Sequence, residues 1–178
     1  PELIHGHLDG LLTDPLSRDA LLEHKALNRF GCQRIESGVV PMDYLTQGFL
    51  YSAGLQQVQP ALRTILLLIK NKDTAQYLEY EMTYDAVQDK AIVHRLIISY
   101  GDLPAQTREM ELVIDRPVAR ALEKFKLVQD FAARHELPPR PYPLNTTFPC
   151  GYCPFEGPCW ASYEEEFENL TVDAVLDE

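Results

Sequence analysis

The sequence predicts an α/β fold. Strand-like runs at residues 3–12, 20–26, 61–70 and 76–84 alternate with helical apolar patterns at 41–55 and 117–136, and turn-forming residues separate them. With 178 residues, 46% hydrophobic and 24% charged, the chain has enough apolar material for one buried core.

Each element has a local cause. The first two strands are separated by "TDPLSRD", in which Asp-Pro and Ser favour a turn. "PMDYLTQGFLYSAGL", residues 41–55, begins with Pro and brings Tyr44, Leu45, Phe49 and Leu55 to helical spacing. "ALRTILLLIK", 61–70, is an apolar run suited to a buried strand, and "QYLEYEMTY", 76–84, alternates after the turn "NKDT". Residues 86–100 read as a helix, because Ile92, Val93, Leu96, Ile97 and Tyr100 depart from strict alternation. Residues 117–136 form an amphipathic helix with Val118, Ala121, Leu122, Phe125, Val128 and Phe131 on one face. "LPPRPYPLNTTFP", 137–149, reads as an extended connector, since its prolines exclude a helix or a central strand.

The aliphatic run Ile65 to Ile69 is far shorter than the ~20 residues a spanning helix needs, and the start of the chain is not signal-like. The expectation is a cytoplasmic protein without a membrane partner. The net charge is −11, but "EEEFENLTVDAVLDE", 164–178, holds seven acids and no base, leaving −4 on the other 163 residues. This acidic tail concentrates the charge, so binding to DNA phosphates is neither favoured nor excluded by the total.

Charged residues interrupt "HLDGLLTDPLSRDALLEHKA", 7–26. If the two strands pair with Leu11 facing Leu21 and Leu12 facing Ala20, Asp9 lies opposite Glu23 and His7 opposite Lys25. Alternation then places His5, His7 and Asp9 on one face, together with Glu23 and Lys25. Two facing carboxylates repel, and a divalent cation between them reverses that repulsion. Their oxygens, with the backbone carbonyl of His24 as a third donor, suit a hard ion such as Mg²⁺. Lys25 then reaches an attacking water or a phosphate oxygen, which outlines a hydrolytic site for a phosphodiester. The plainer reading is a solvent-facing hairpin, as is usual for charged residues.

Gln47 and Tyr51 are four residues apart, hence on one helix face, where they suit either a nucleotide contact or a half-buried helix edge. Cys150, Cys153 and Cys159 form the C-x2-C-x5-C of "CGYCPFEGPC", whose thiolates suit Zn²⁺ or an iron-sulfur cluster, shielded by Tyr152, Phe155 and Trp160. A fourth ligand is either Cys32 or a residue upstream of Pro1. The plainer alternative is a set of core cysteines.

Taken in order, "GHLDG", "LLEHKA", "QGFLY" and "CGYCPFEGPC" resemble the RecB-like branch of the PD-(D/E)XK nucleases, in particular the iron-sulfur nucleases of CRISPR adaptation and their phage-encoded relatives. The resemblance spans residues 4–160. It implies a restriction-endonuclease-like mixed β-sheet flanked by helices, followed by a small C-terminal cysteine region. It further implies Mg²⁺ or Mn²⁺ on Asp9, Glu23 and the His24 carbonyl, Lys25 as catalytic lysine, and Gln47 and Tyr51 as the Q-x-x-x-Y motif. Cys150, Cys153 and Cys159 would hold a 4Fe-4S cluster, with Zn²⁺ as the alternative.

On that basis residues 1–136 are the nuclease core, 137–163 the connector and iron-sulfur segment, and 164–178 the acidic tail. Family members carry an N-terminal helical segment that supplies a His or Glu metal ligand and the first cluster cysteine; here both are expected upstream of Pro1, with His5 or His7 as substitutes for the first. The expected activity is exonucleolytic cleavage of single-stranded DNA or DNA ends, with a possible protein partner in a DNA-processing complex. The competing expectation is an inactive module that binds DNA ends or proteins. Arg116, Arg120 and Lys124, and likewise Lys70 and Lys72, are candidate backbone contacts for DNA or ordinary solvated cations.

Overall fold

In a computed structural model, residues 6–13, 19–136, 153, 154, 157 and 160 are described. Strands β1 (Gly10–Thr13) and β2 (Asp19–Leu27) are followed by helices α1 (Arg29–Glu36) and α2 (Met42–Leu55). Strands β3 (Thr64–Asn71), β4 (Gln76–Asp85), β5 (Lys90–Tyr100) and β6 (Gln106–Asp115) then lead into α3 (Pro117–Arg134). The strands form one mixed sheet in sequence order. All neighbours are antiparallel except β2 and β3, which run parallel because α1 and α2 provide the crossover between them.

One face of the sheet carries the core. Leu21, Ile65, Leu67, Ile69, Leu78, Tyr80, Met82, Tyr84, Val93, Leu96 and Ile98 are buried together with Cys32 and Ile35 of α1 and Leu45 and Phe49 of α2. The rings of Phe49 and Tyr84 stack with centroids 5.9 Å apart. Gly48 brings α2 close to the sheet, since a Cβ there would stand 3.1 Å from Ile65 Cγ2. The α1 end is held by a polar clamp. Gln76 Nε2 donates to Glu36 Oε1 at 2.6 Å, the Tyr100 hydroxyl also donates to Glu36, and Arg108 donates to the Glu36 carbonyl at 2.7 Å.

The predicted strands at 20–26, 61–70 and 76–84 and the helices at 41–55 and 117–136 are present, with ends displaced by a few residues. Residues 86–100 are corrected: 90–100 are strand β5, not helix. The register shifts between Val93 and Arg95, so the inward phase of Ala91 and Val93 resumes at Leu96 and Ile98. This bulge mimics helical spacing in sequence. The first strand is also shorter than predicted: residues 6–9 precede the ladder, which starts at Gly10, and 3–5 lie outside the described residues. Two elements were not anticipated. α1 begins at Asn28, whose side chain accepts from the Gly31 N–H at 2.9 Å, and β6 alternates through Met110, Leu112 and Ile114.

The chain divides into two compact units, Pro1–Lys124 and Phe125–Glu178, and the first contains the whole sheet. On α3 only Pro117 and Ala121 are buried, while Leu122, Phe125 and Val128 of the predicted apolar face are exposed. The connector 137–149 and the acidic tail 164–178 lie outside the described residues. Among the described residues no helix is long and apolar enough to cross a membrane.

The start of α3 is capped from a distance. Asp89, in the β4–β5 turn with a left-handed φ of 46°, accepts the N–H of Val118 at 3.1 Å and of Ala119 at 2.9 Å, and the Tyr84 hydroxyl at 3.0 Å. Burial and this hydrogen bond to Asp89 push the Tyr84 phenol well above its usual range. Replacing Asp89 by Ala removes the helix cap and orphans the Tyr84 hydroxyl, at a cost of about 1–2 kcal/mol. Urea denaturation of Asp89→Ala checks this, and an unchanged midpoint would contradict it.

Candidate metal centre

Strand alternation turns Leu21, Glu23 and Lys25 toward the helices and His24 toward the other face. Glu23 thereby takes a core position beside Leu67 of β3, with only 1% of its surface exposed. Its Oε1 pairs with the ammonium of Lys25, two residues on, beside Ile69. Its Oε2 is buried and has no hydrogen-bond partner among the described residues. Leaving a buried acceptor unsatisfied costs about 1–3 kcal/mol, so this oxygen is suited to receive an external donor or a cation.

The predicted β1–β2 register is observed: Leu11 pairs with Leu21 and Leu12 with Ala20, and the ladder runs to Gly10 opposite Leu22. Asp9 stands in a bend one residue further, where it accepts the His24 backbone N–H through Oδ2 at 2.7 Å. In a strand the N–H and C=O of one residue point to the same edge, so the His24 carbonyl is directed toward the edge that Asp9 occupies. Asp9 is exposed and Glu23 buried, so the carboxylates differ in surroundings. The expected pairings of Asp9 with Glu23 and of His7 with Lys25 are not part of the ladder, because the strand begins only at Gly10: Asp9 stands in the bend, and His7 is exposed beyond it.

Helix α2 lines the same region. Gln47 Nε2 donates to the Tyr51 hydroxyl at 3.0 Å, so the two predicted residues act as one hydrogen-bonded pair. The Tyr51 ring lies against Gly6, where a Cβ would come within 2.4 Å of Cε1, so a larger residue there would displace the ring. One turn earlier, the ring centroid of Tyr44 is 5.7 Å from Lys25 Nζ. The sequence marks Tyr44 only as an apolar position of the helix, although its place three residues before Gln47 puts it on the same face.

Among the described residues no three His, Cys, Asp or Glu side chains are grouped to hold a metal. The available set is two carboxylates and one backbone carbonyl, donors that fit Mg²⁺ or Mn²⁺, ions that accept oxygen ligands and retain water. Of the predicted cluster ligands, Cys153 is exposed, while Cys150 and Cys159 lie outside the described residues. Cys32 is fully buried on α1, and burial, then Glu36 and Asp73, raise its thiol pKa. That environment favours a packed neutral thiol. Of the proposed DNA-facing cations, Arg116 pairs with Glu123 at 2.7 Å, and Arg120, Lys124, Lys70 and Lys72 are exposed.

The fold defines the chain as mixed α/β, with a six-stranded open sheet. No protein-family model matches it, and neither the curated proteins nor the solved structures give a significant match.

The Cys32 environment yields a direct expectation. Alkylation followed by peptide mass mapping should leave Cys32 unmodified in the native chain and modify it in guanidinium. Native labelling of Cys32 as fast as an exposed thiol would contradict its burial.

Proposed function

We propose that the chain is a metal-dependent deoxyribonuclease of the RecB-like PD-(D/E)XK kind, acting on single-stranded DNA or DNA ends. The observation that carries the reading is the state of Glu23: it is buried, with one oxygen held by Lys25 and the other without a partner among the described residues, on the strand whose edge Asp9 reaches. A buried carboxylate oxygen without a partner is costly, and binding a cation there would offset that cost.

In this reading Asp9, Glu23 and the His24 carbonyl hold Mg²⁺ or Mn²⁺. When bound, the ion supplies Lewis acidity to the phosphodiester and to water. The chain's own groups do the remaining work. Lys25 offers its ammonium to the attacking water and to charge developing on a phosphate oxygen. The Gln47–Tyr51 pair supports the nucleotide or the lysine from α2. Cys150, Cys153 and Cys159 hold a 4Fe-4S cluster, an assignment supported by their spacing and by the sequence resemblance.

Mn²⁺- or Mg²⁺-dependent degradation of labelled DNA is the first test, with Lys25→Ala expected to abolish it. Full activity in that variant would sink the mechanism. Calorimetry should show Mn²⁺ binding that Glu23→Gln weakens by about ten-fold or more, whatever the activity. Protein purified without oxygen should be brown and contain ~4 Fe per chain. A colourless protein carrying one zinc would replace the iron assignment.

A further inference from the structure

We propose that Tyr44 is a positioning residue for Lys25, a role that rests on the nuclease reading above. Lysine ends a flexible four-carbon stem, so its ammonium takes a defined place only where neighbours provide one. Lys25 has two such neighbours in the structure: the Glu23 carboxylate, and the Tyr44 ring with its centroid 5.7 Å from Nζ. That distance lies within the ~6 Å range over which a ring face attracts a cation.

The two neighbours differ in what else they do. In the proposed site Glu23 also binds the divalent ion, and a carboxylate shared with a metal holds an ammonium less firmly. The Tyr44 ring has no such second duty. Its face attracts the ammonium without offering a carboxylate that would compete for the ion. The ring is also well anchored, being half-buried and packed against the core. Among the described residues its hydroxyl has no hydrogen-bond partner, so the contact with Lys25 belongs to the ring. Tyr44 lies three residues before Gln47 and seven before Tyr51, which extends the face of α2 that lines the site by one turn.

The test compares wild type, Tyr44→Phe and Tyr44→Leu on labelled single-stranded DNA with Mn²⁺. Tyr44→Leu should lower kcat about three- to ten-fold, while KM for DNA and the Mn²⁺ concentration for half-maximal rate stay within about two-fold. Tyr44→Phe should recover most of the lost rate, because it keeps the ring. Undiminished kcat in Tyr44→Leu overturns the role. An equal loss in Tyr44→Phe also overturns it, since the hydroxyl would then be the working group. Proton NMR of the wild type gives a reading that depends on neither variant folding: the Lys25 Hε protons should lie upfield of their random-coil position, and their absence from that region overturns the contact. A wild type that binds Mn²⁺ but cleaves no DNA overturns the nuclease reading itself, whereas an active wild type with an unaffected Tyr44→Leu overturns only the role of Tyr44.

Discussion

Glu23 occupies a place that strand alternation reserves for an apolar side chain. On β2 it follows Leu21 in the inward phase, and its neighbour across the parallel ladder is Leu67. A carboxylate in such surroundings loses hydration that only specific partners replace. Lys25 supplies one, from the next inward position of the same strand. Much of the local structure follows from keeping that pair in place. β2 is paired on both sides, which fixes its phase, and α2 packs close to the sheet, where a Cβ at position 48 would press on Ile65.

The parallel pairing of β2 and β3 is the topological condition for this enclosure. Parallel neighbours need a long connection, and here that connection consists of α1 and α2. The crossover therefore carries Tyr44, Gln47 and Tyr51 past the strand that bears Glu23 and Lys25. At the far end of α2, buried Gln56 donates to the Tyr84 carbonyl at 2.9 Å and accepts the Ala86 N–H at 3.0 Å, tying the helix to the β4–β5 turn. The same turn presents Asp89 to α3. Polar side chains thus fix the helices at their ends, and apolar packing fixes α1 and α2 along their lengths.

How far the sequence could be read depended on whether the deciding interaction was local. The β1–β2 register was legible because the turn between two short apolar runs left few ways to align them, and Leu11 does face Leu21. α2 and α3 were legible from Pro at their starts and apolar periodicity. β5 was not. Against Glu81 and Met82 of β4, β5 carries one extra residue, His94, in a period of two, and the resulting pattern imitates a helix until neighbouring strands are known. His7 was misplaced for a related reason, because strand propensity cannot tell where pairing stops.

The sequence by itself determined the α/β class, the phase of β2 that puts Glu23 and Lys25 on one face, and the helical spacing that joins Gln47 to Tyr51. Those are consequences of periodicity, which a chain carries in its residue order. Only the tertiary structure decided that Glu23 is buried with one oxygen unpartnered among the described residues, that Asp9 turns to the His24 backbone, and that Tyr44 meets Lys25. Burial and contact depend on what distant segments bring alongside, and no local pattern encodes the neighbours that a crossover of two helices delivers.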